Sequence, residues 1–303
     1  MADNTNPGDS TQFTRDYFDS ILVEMRHIDS VLPSTKLELY GETFSTPVML
    51  AALSHLQNCH PEGMAEAARG IKAADAVMWT GMGDEAELET IIATGARTIK
   101  IIKPYADNKV IFKKIEHAEK CGCLAVGMDI DHAFNRKGYY DVIHDLKMSP
   151  KSLDEIREFV KAAKLPFIIK GVLSEQDTYK CLEAGVRGIV ISHHHGHIDY
   201  ALPPLCILPA IAKIVKKQIP IFVDCSINRG MDAFKALALG ADAVSAGRII
   251  MEPLHAEGAQ GVWKTITGMT EELAGVMAAT NSPDIRHINP SVLWLPKKWE
   301  RMK

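Results

Sequence analysis

Charged and ionisable side chains stand at the ends of apolar runs where a buried strand has no ordinary use for them. Asp129 and Asp131 close one such run, Lys170 closes the next, His193, His194, His195 and His197 follow a third, and Asp224 ends a fourth. Buried Lys and Asp are rarely kept without a partner, so several of them in equivalent places point to a common site. An imidazole titrates near neutrality and suits proton transfer, while an ammonium can stabilise developing negative charge. Two further stretches, Asp224-Cys-Ser-Ile-Asn-Arg-Gly230 and Ser245-Ala-Gly-Arg248, read as anion-binding turns. Gly247 lets a backbone approach closely, and Arg229 and Arg248 offer the paired donors that a phosphate accepts.

These windows belong to a repeating pattern. Strands are expected at Val48–Leu53, Ala76–Gly81, Thr98–Ile102, Cys123–Ile130, Pro166–Gly171, Gly188–His193, Ile219–Cys225 and Ala243–Arg248, with amphipathic segments between them. Helix signals lie in the gaps: Ser152-x-x-Glu155 as a capping box, Ser174-x-x-Asp177 as a looser one, and Gly185 and Gly240 at C-terminal ends. Eight alternating units predict an α/β fold, a single (β/α)8 TIM barrel, whose chemistry gathers at the C-terminal ends of its strands and whose last two loops commonly hold phosphate. The long connection from Asp131 to about Lys151 carries His132, Asn135, Arg136, Tyr139 and Tyr140 and reads as a lid. Residues 1–12 are expected to be a disordered tail and residues 13–303 the barrel domain. A short helix is expected over Thr14–Ile28, and Ser282–Lys303, with Trp294 and Trp299, as a closing tail.

The 303 residues are 47% hydrophobic and 24% charged, a globular composition, and the net charge of −4 comes without a sustained basic stripe. Nucleic acid and membrane are therefore not expected as partners, and small molecules are. No apolar run reaches the roughly eighteen residues of a membrane span, and the polar N-terminus has no export signal, so a cytoplasmic location is expected. The six cysteines read as reduced, buried small hydrophobes.

In this order, Thr46-Pro-Val-Met-Leu-Ala-Ala52, Pro166-Phe-Ile-Ile-Lys-Gly171, Leu208-Pro-Ala-Ile211, Pro220-Ile-Phe-Val-Asp224 and Gly240-Ala-Asp-Ala-Val-Ser-Ala-Gly-Arg248 resemble the FMN-dependent α-hydroxy-acid oxidases and dehydrogenases, the lactate oxidase and glycolate oxidase group, from about Phe18 to about Ile285. The resemblance implies FMN at the barrel mouth, a hydride leaving a hydroxyl-bearing carbon for flavin N5, and a homo-oligomer, commonly a tetramer. It implies that Lys170 lies beside flavin N1 and O2, that Ala51, Ala52 and Thr80 run along the flavin, and that Asp224 holds the ribityl chain. Ser226, Arg229, Gly247 and Arg248 fall on the cofactor's phosphate side. Counting from Lys170 puts the family's base at His194, with His195, which precedes Gly196, as the alternative.

Several positions depart from the family. Its carboxylate-gripping Arg falls on His197, and Arg136 in the lid loop is the expected substitute. Its flavin-contacting Gln and substrate-contacting Tyr fall in Lys100-Ile-Ile-Lys103, which puts Lys100 near the cofactor and Lys103 near the substrate. A flavin-contacting Thr becomes Asp129, whose expected partner is Lys100, and the double Arg after the seventh strand becomes Asn228-Arg229. No metal is expected in this reading. A metal-dependent lyase or isomerase acting on a phosphorylated substrate is the alternative, built on the four histidines with Asp129 and Asp131. A flavin-binding relative without dehydrogenase activity is a third.

Overall fold

The computed structural model describes residues 7–296. Eight parallel strands form its centre: β1 (Val48–Leu50), β2 (Met78–Thr80), β3 (Thr98–Ile102), β4 (Ala125–Asp129), β5 (Phe167–Val172), β6 (Gly188–Ile191), β7 (Ile221–Val223) and β8 (Ala243–Ala246). They pair in the order β1-β8-β7-β6-β5-β4-β3-β2. The ring closes where Leu53 bridges Thr80 and where Leu50 N–H donates to Val77 O at 3.1 Å. All eight expected strands are present: β3 has the expected limits, β5 is shifted by one residue to Phe167–Val172, and the others are trimmed by one to three residues at their ends, where the chain turns into polar loops.

The strands are mainly apolar runs buried on both faces, as parallel strands covered by helices must be. Trp79 of β2 meets Phe222 of β7 across the barrel, ring centroids 5.1 Å apart and edge to face, and donates its indole N–H to Met49 Sδ at 3.3 Å. This packed layer fills the barrel interior beneath the C-terminal mouth. The helices are delimited as their caps dictate. Ser152 and Glu155 form the full capping box of Leu153–Ala162, Ser174 caps Glu175–Ala184, and Gly185 ends that helix at φ +78°, where a side chain would be strained.

At the N-terminus a helix spans Ser10–Ser20, capped by Asp9, rather than starting at Thr14 and running to Ile28. Residues 10–12 are therefore helical; residues 1–6 of the expected tail lie outside the described residues. After the helix, Leu22–Val23 pairs antiparallel with Leu293–Trp294, so the closing tail packs on the N-terminal segment. Trp299 lies outside the described residues. The lid connection contains a two-stranded ribbon, Val142–Ile143 against Leu146–Lys147.

Candidate active site

At the mouth, register decides who meets whom. Lys170 on β5 pairs with Asp129 on β4, and the alternation of strands turns both side chains the same way. Lys170 Nζ lies 3.3 Å from Asp129 Oδ1 and 3.4 Å from Asp224 Oδ2 at the end of β7. Lys103 Nζ, just beyond β3, donates to Asp129 Oδ2 at 2.7 Å. All of these groups are buried. Burial alone would raise Asp129, yet Lys170 and Lys103 hold it well below the usual carboxylate range, and Lys170 is held well above the usual ammonium value by Asp129 and Asp224 against the pull of burial.

The loop after β6 is a sharp turn in which His194, His195 and Gly196 all have positive φ, +47°, +54° and +73°. Left-handed backbone costs of the order of 1–3 kcal/mol at each non-glycine residue and is kept where surroundings impose it. Here Ser192 Oγ accepts the His194 N–H at 3.0 Å, and His193 Nδ1 accepts the Gly196 N–H at 2.8 Å. The turn aims His194 inward: its Nδ1 lies 3.0 Å from Asp131 Oδ1, 3.4 Å from Asp129 Oδ1 and 3.4 Å from Lys170 Nζ. Burial would lower His194, but Asp129 and then Asp131 outweigh it and raise it to about 9.

The other histidines point elsewhere, so the four do not converge on one ion. His193 is buried, its Nε2 2.7 Å from Thr14 Oγ1 of the N-terminal helix. His195 Nδ1 accepts from Arg248 Nη2 at 2.5 Å and lies 3.1 Å from Thr11 Oγ1. An imidazole nitrogen that accepts from a guanidinium is occupied, which makes His195 the holder of Arg248 rather than a free base. His197 Nε2 donates to Phe134 O of the lid loop at 3.0 Å, and Arg136 Nη2 of that loop donates to Gly196 O at 2.6 Å. The carboxylate-gripping pair expected from the sequence thus sits at the lid's contact with the β6 loop.

A cavity of about 350 Å³ opens beside this cluster, lined by Ala51, Ala52, Lys170, His194, Asp224, Ser226, Gly247 and Arg248 among others. That volume and mixture of surfaces suit a bound small molecule. Among the described residues Arg248 has no carboxylate partner, only the His195 ring, which leaves its charge for an anion. Thr80 Oγ1, fully buried at the end of β2, has no hydrogen-bond partner. A larger cleft, about 490 Å³, lies at the opposite end of the barrel around Tyr40, Arg187 and Asp242, away from the acid–base groups.

Three expectations are corrected. Lys100 is not the partner of Asp129: its Nζ donates to Gly81 O at 2.6 Å, and without a carboxylate it is lowered by burial to about 8. Lys103, expected on the substrate side, is tied to Asp129 instead because the strand carries it one step past the barrel rim. Arg229 does not line the cavity; as the first residue of the turn into the helix Gly230–Ala238 it points outward, its Nε 2.8 Å from Glu272 Oε1. Three functional candidates were not assigned these roles from the sequence. Asp131 orients His194, and His132 lies against His194 with Asp141 behind it. Strand alternation puts Asp131 on the face of Asp129 and marks it as a site residue in the sequence, though not as the partner of His194; nothing in the sequence marks the other two contacts.

Asp131, His132 and His194 also present ligand atoms within 4.8 Å of one another, a grouping that shares only Asp131 and His194 with the metal alternative. Lys170 stands within 3.4 Å of His194, so a dication there would meet a fixed positive charge.

A family model described as FMN-dependent dehydrogenase matches residues 1–153 and 147–295 of the chain. Among curated proteins, a peroxisomal (S)-2-hydroxyacid oxidase of Arabidopsis thaliana is 28% identical over 305 residues, covering 88% of this chain and 82% of that protein. An L-lactate oxidase of Lysinibacillus sphaericus is 28% identical over 300 residues, 86% of this chain and 78% of its own. Among solved structures, a mandelate oxidase mutant with a monooxide FMN adduct superposes with a TM-score of 0.87 at 27% identity, covering 96% of this chain and 93% of its own.

Proposed function

The chain belongs to the FMN-dependent dehydrogenase family, an oxidoreductase with FMN as its cofactor, and from that premise we propose that it oxidises the hydroxyl-bearing carbon of a 2-hydroxy acid with His194 as the base. The observation that carries this reading is the grouping of Asp131, His194 and Lys170 within 3.0 and 3.4 Å contacts beside the cavity. The residues present fit the cofactor. Arg248 and the turn at Gly247 suit its phosphate, Asp224 and Ser226 its polar chain, the Ala51–Ala52 backbone its edge, and the unpartnered Thr80 hydroxyl offers a polar contact. Bound FMN supplies an acceptor for hydride.

The chain's own residues do the rest. Asp131 fixes the ring of His194 with Nδ1 as donor, which leaves Nε2 to take the hydroxyl proton. The Lys170 ammonium, kept charged by Asp129 and Asp224, lowers the energy of negative charge developing in the cavity. Arg136 and His197, now bound to the carbonyls of Gly196 and Phe134 where the lid loop meets the β6 loop, are the cationic and donor groups that would turn to the substrate carboxylate. An anaerobic absorption titration tests this reading. The purified protein is expected to be yellow and to bleach on addition of a 2-hydroxy acid such as lactate, glycolate or mandelate; a flavin that stays oxidised with all of them overturns it.

A homo-oligomer is part of the same proposal, supported by the exposed apolar residues Met25, Ile28, Leu32 and Trp294 on one terminal segment pair. So is a cytoplasmic location, supported by six free thiols. No helix of the described residues is long and apolar enough to cross a membrane.

A further inference from the structure

Two carboxylate–imidazole pairs meet head to head above the barrel mouth. His194 Nε2 lies 2.9 Å from His132 Nε2, with the rings edge to face and their centroids 4.1 Å apart. Each far nitrogen faces a carboxylate: His194 Nδ1 is 3.0 Å from Asp131, and His132 Nδ1 is 3.4 Å from Asp141. A carboxylate only accepts, so both Nδ1 atoms carry protons. Two bare lone pairs are not stable at 2.9 Å, and the pair therefore holds one further proton between its Nε2 atoms. Around it, buried Asp129 and Asp224 and the half-buried Asp131 face Lys103 and Lys170, and the shared proton offsets part of the excess negative charge.

The lid holds His132 there by more than one contact. His197 Nε2 donates to Phe134 O, and Arg136 donates to Gly196 O, on either side of the same approach. Asp141 is fixed as well: its Oδ1 accepts the Val142 N–H at 2.9 Å, its N–H donates to Ala133 O at 3.1 Å, and its carbonyl accepts the Met148 N–H at 2.8 Å. Asp141 reaches solvent, its side chain 24% exposed against 15% for Asp131 at the inner end.

We propose that His132 and Asp141 form the exit path for the reaction proton, with His132 a positioning and relay residue that takes the proton from His194 and hands it through Asp141 to water. The inference rests on His194 being the base. The shared proton moves fully onto His132 Nε2 while the His132 Nδ1 proton passes to Asp141 and on to water. His194 is then neutral; once the His132 ring turns aside, the His194 Nε2 lone pair takes the substrate hydroxyl proton, and His132 exchanges its Nε2 proton for one at Nδ1 through Asp141 and water, which returns the pair to its starting tautomers. One proton leaves for each one that arrives, and no electrons move in the relay. Burial and the charge of Lys103 lower His132 to about 4, which suits a carrier that holds the proton only in passing.

The test uses the FMN-loaded enzyme with His132→Gly and Asp141→Asn. Both are expected to keep the flavin spectrum, to slow flavin reduction by a 2-hydroxy acid about 100-fold near neutrality, and to displace the acidic limb of the pH–rate profile. Added imidazole is expected to restore most of the rate of His132→Gly. Nuclear magnetic resonance of the protein with 15N-labelled histidine is expected to show one proton shared by two rings, lost in His132→Gly and in His194→Gln alike. A wild-type pH–rate profile in both variants, a loss that imidazole leaves unchanged, or the absence of a shared proton overturns the relay. Failure of every 2-hydroxy acid to reduce wild-type flavin overturns the base assignment instead, and the resonance experiment still decides the shared proton.

Discussion

Asp131 and His194 are 63 residues apart in the chain and 3.0 Å apart in the fold. The pair exists because β5 lies between the strands that carry them and gives way at Gly171. Gly171 sits at a register shift with φ +97°, and a Cβ there would stand 2.7 Å from Asp131 Oδ2. Gly171→Ala is expected to cost about 1–3 kcal/mol of stability and to push Asp131 from His194. Thermal melts and flavin-reduction rates measured together check this; unchanged reduction would show that Asp131 does not orient the base.

Lys170→Met removes the ammonium between Asp129 and Asp224. Flavin reduction is expected to slow about 100- to 1,000-fold, the usual loss for one preorganised charge-stabilising donor. Stopped-flow reduction of the variant measures it, with circular dichroism to confirm the fold.

The buried Lys103–Asp129 pair should behave as a unit. Lys103→Met leaves Asp129 with less compensation and is expected to destabilise by about 3–5 kcal/mol, whereas Lys103→Met with Asp129→Asn should recover much of that loss. Urea denaturation of the two single variants and the double variant closes the cycle. Additive losses would mean the two side chains do not act together.

Arg248→Ala and Arg229→Ala separate the two arginines that the sequence groups together. Loss of Arg248, whose guanidinium faces the cavity, is expected to weaken FMN binding at least tenfold. Loss of Arg229, paired outward with Glu272, should leave FMN affinity near wild type. Fluorescence titration of the apoprotein with FMN compares them directly.

Stability should depend on pH through the histidine pair, with opposite signs for its members. His194 is raised from 6.5 to about 9, so its contribution is complete below about pH 6.5 and is lost as pH rises through 9. His132 is lowered from 6.5 to about 4, so its contribution is present above about pH 6.5 and is lost as pH falls toward 4. His194→Gln should flatten the alkaline fall of the melting temperature and His132→Gln should reduce the acid fall. Melting curves from pH 4 to 10 that keep both slopes would contradict the assignment.

Much of this molecule is legible from its residues alone. Alternating apolar runs with turn residues between them determine eight strands and their order, because burial on both faces of a parallel strand demands that composition locally. The capping residues Ser152, Ser174 and Gly185 act within a few positions and are equally readable. The positions of Lys170, Asp224, His194 and Arg248 follow from where strands end. What those groups touch does not. Lys100 and Lys103 differ by three positions, and only the closed barrel decides that Lys103 meets Asp129 while Lys100 meets a carbonyl. His194 and His195 are neighbours, and only a left-handed turn sends one to Asp131 and the other to Arg248. His132 reaches His194 through a loop whose path no periodicity encodes. Local sequence determines which residues are buried and where chains turn, whereas charge pairing is a property of distances across strands and loops, set when the barrel closes.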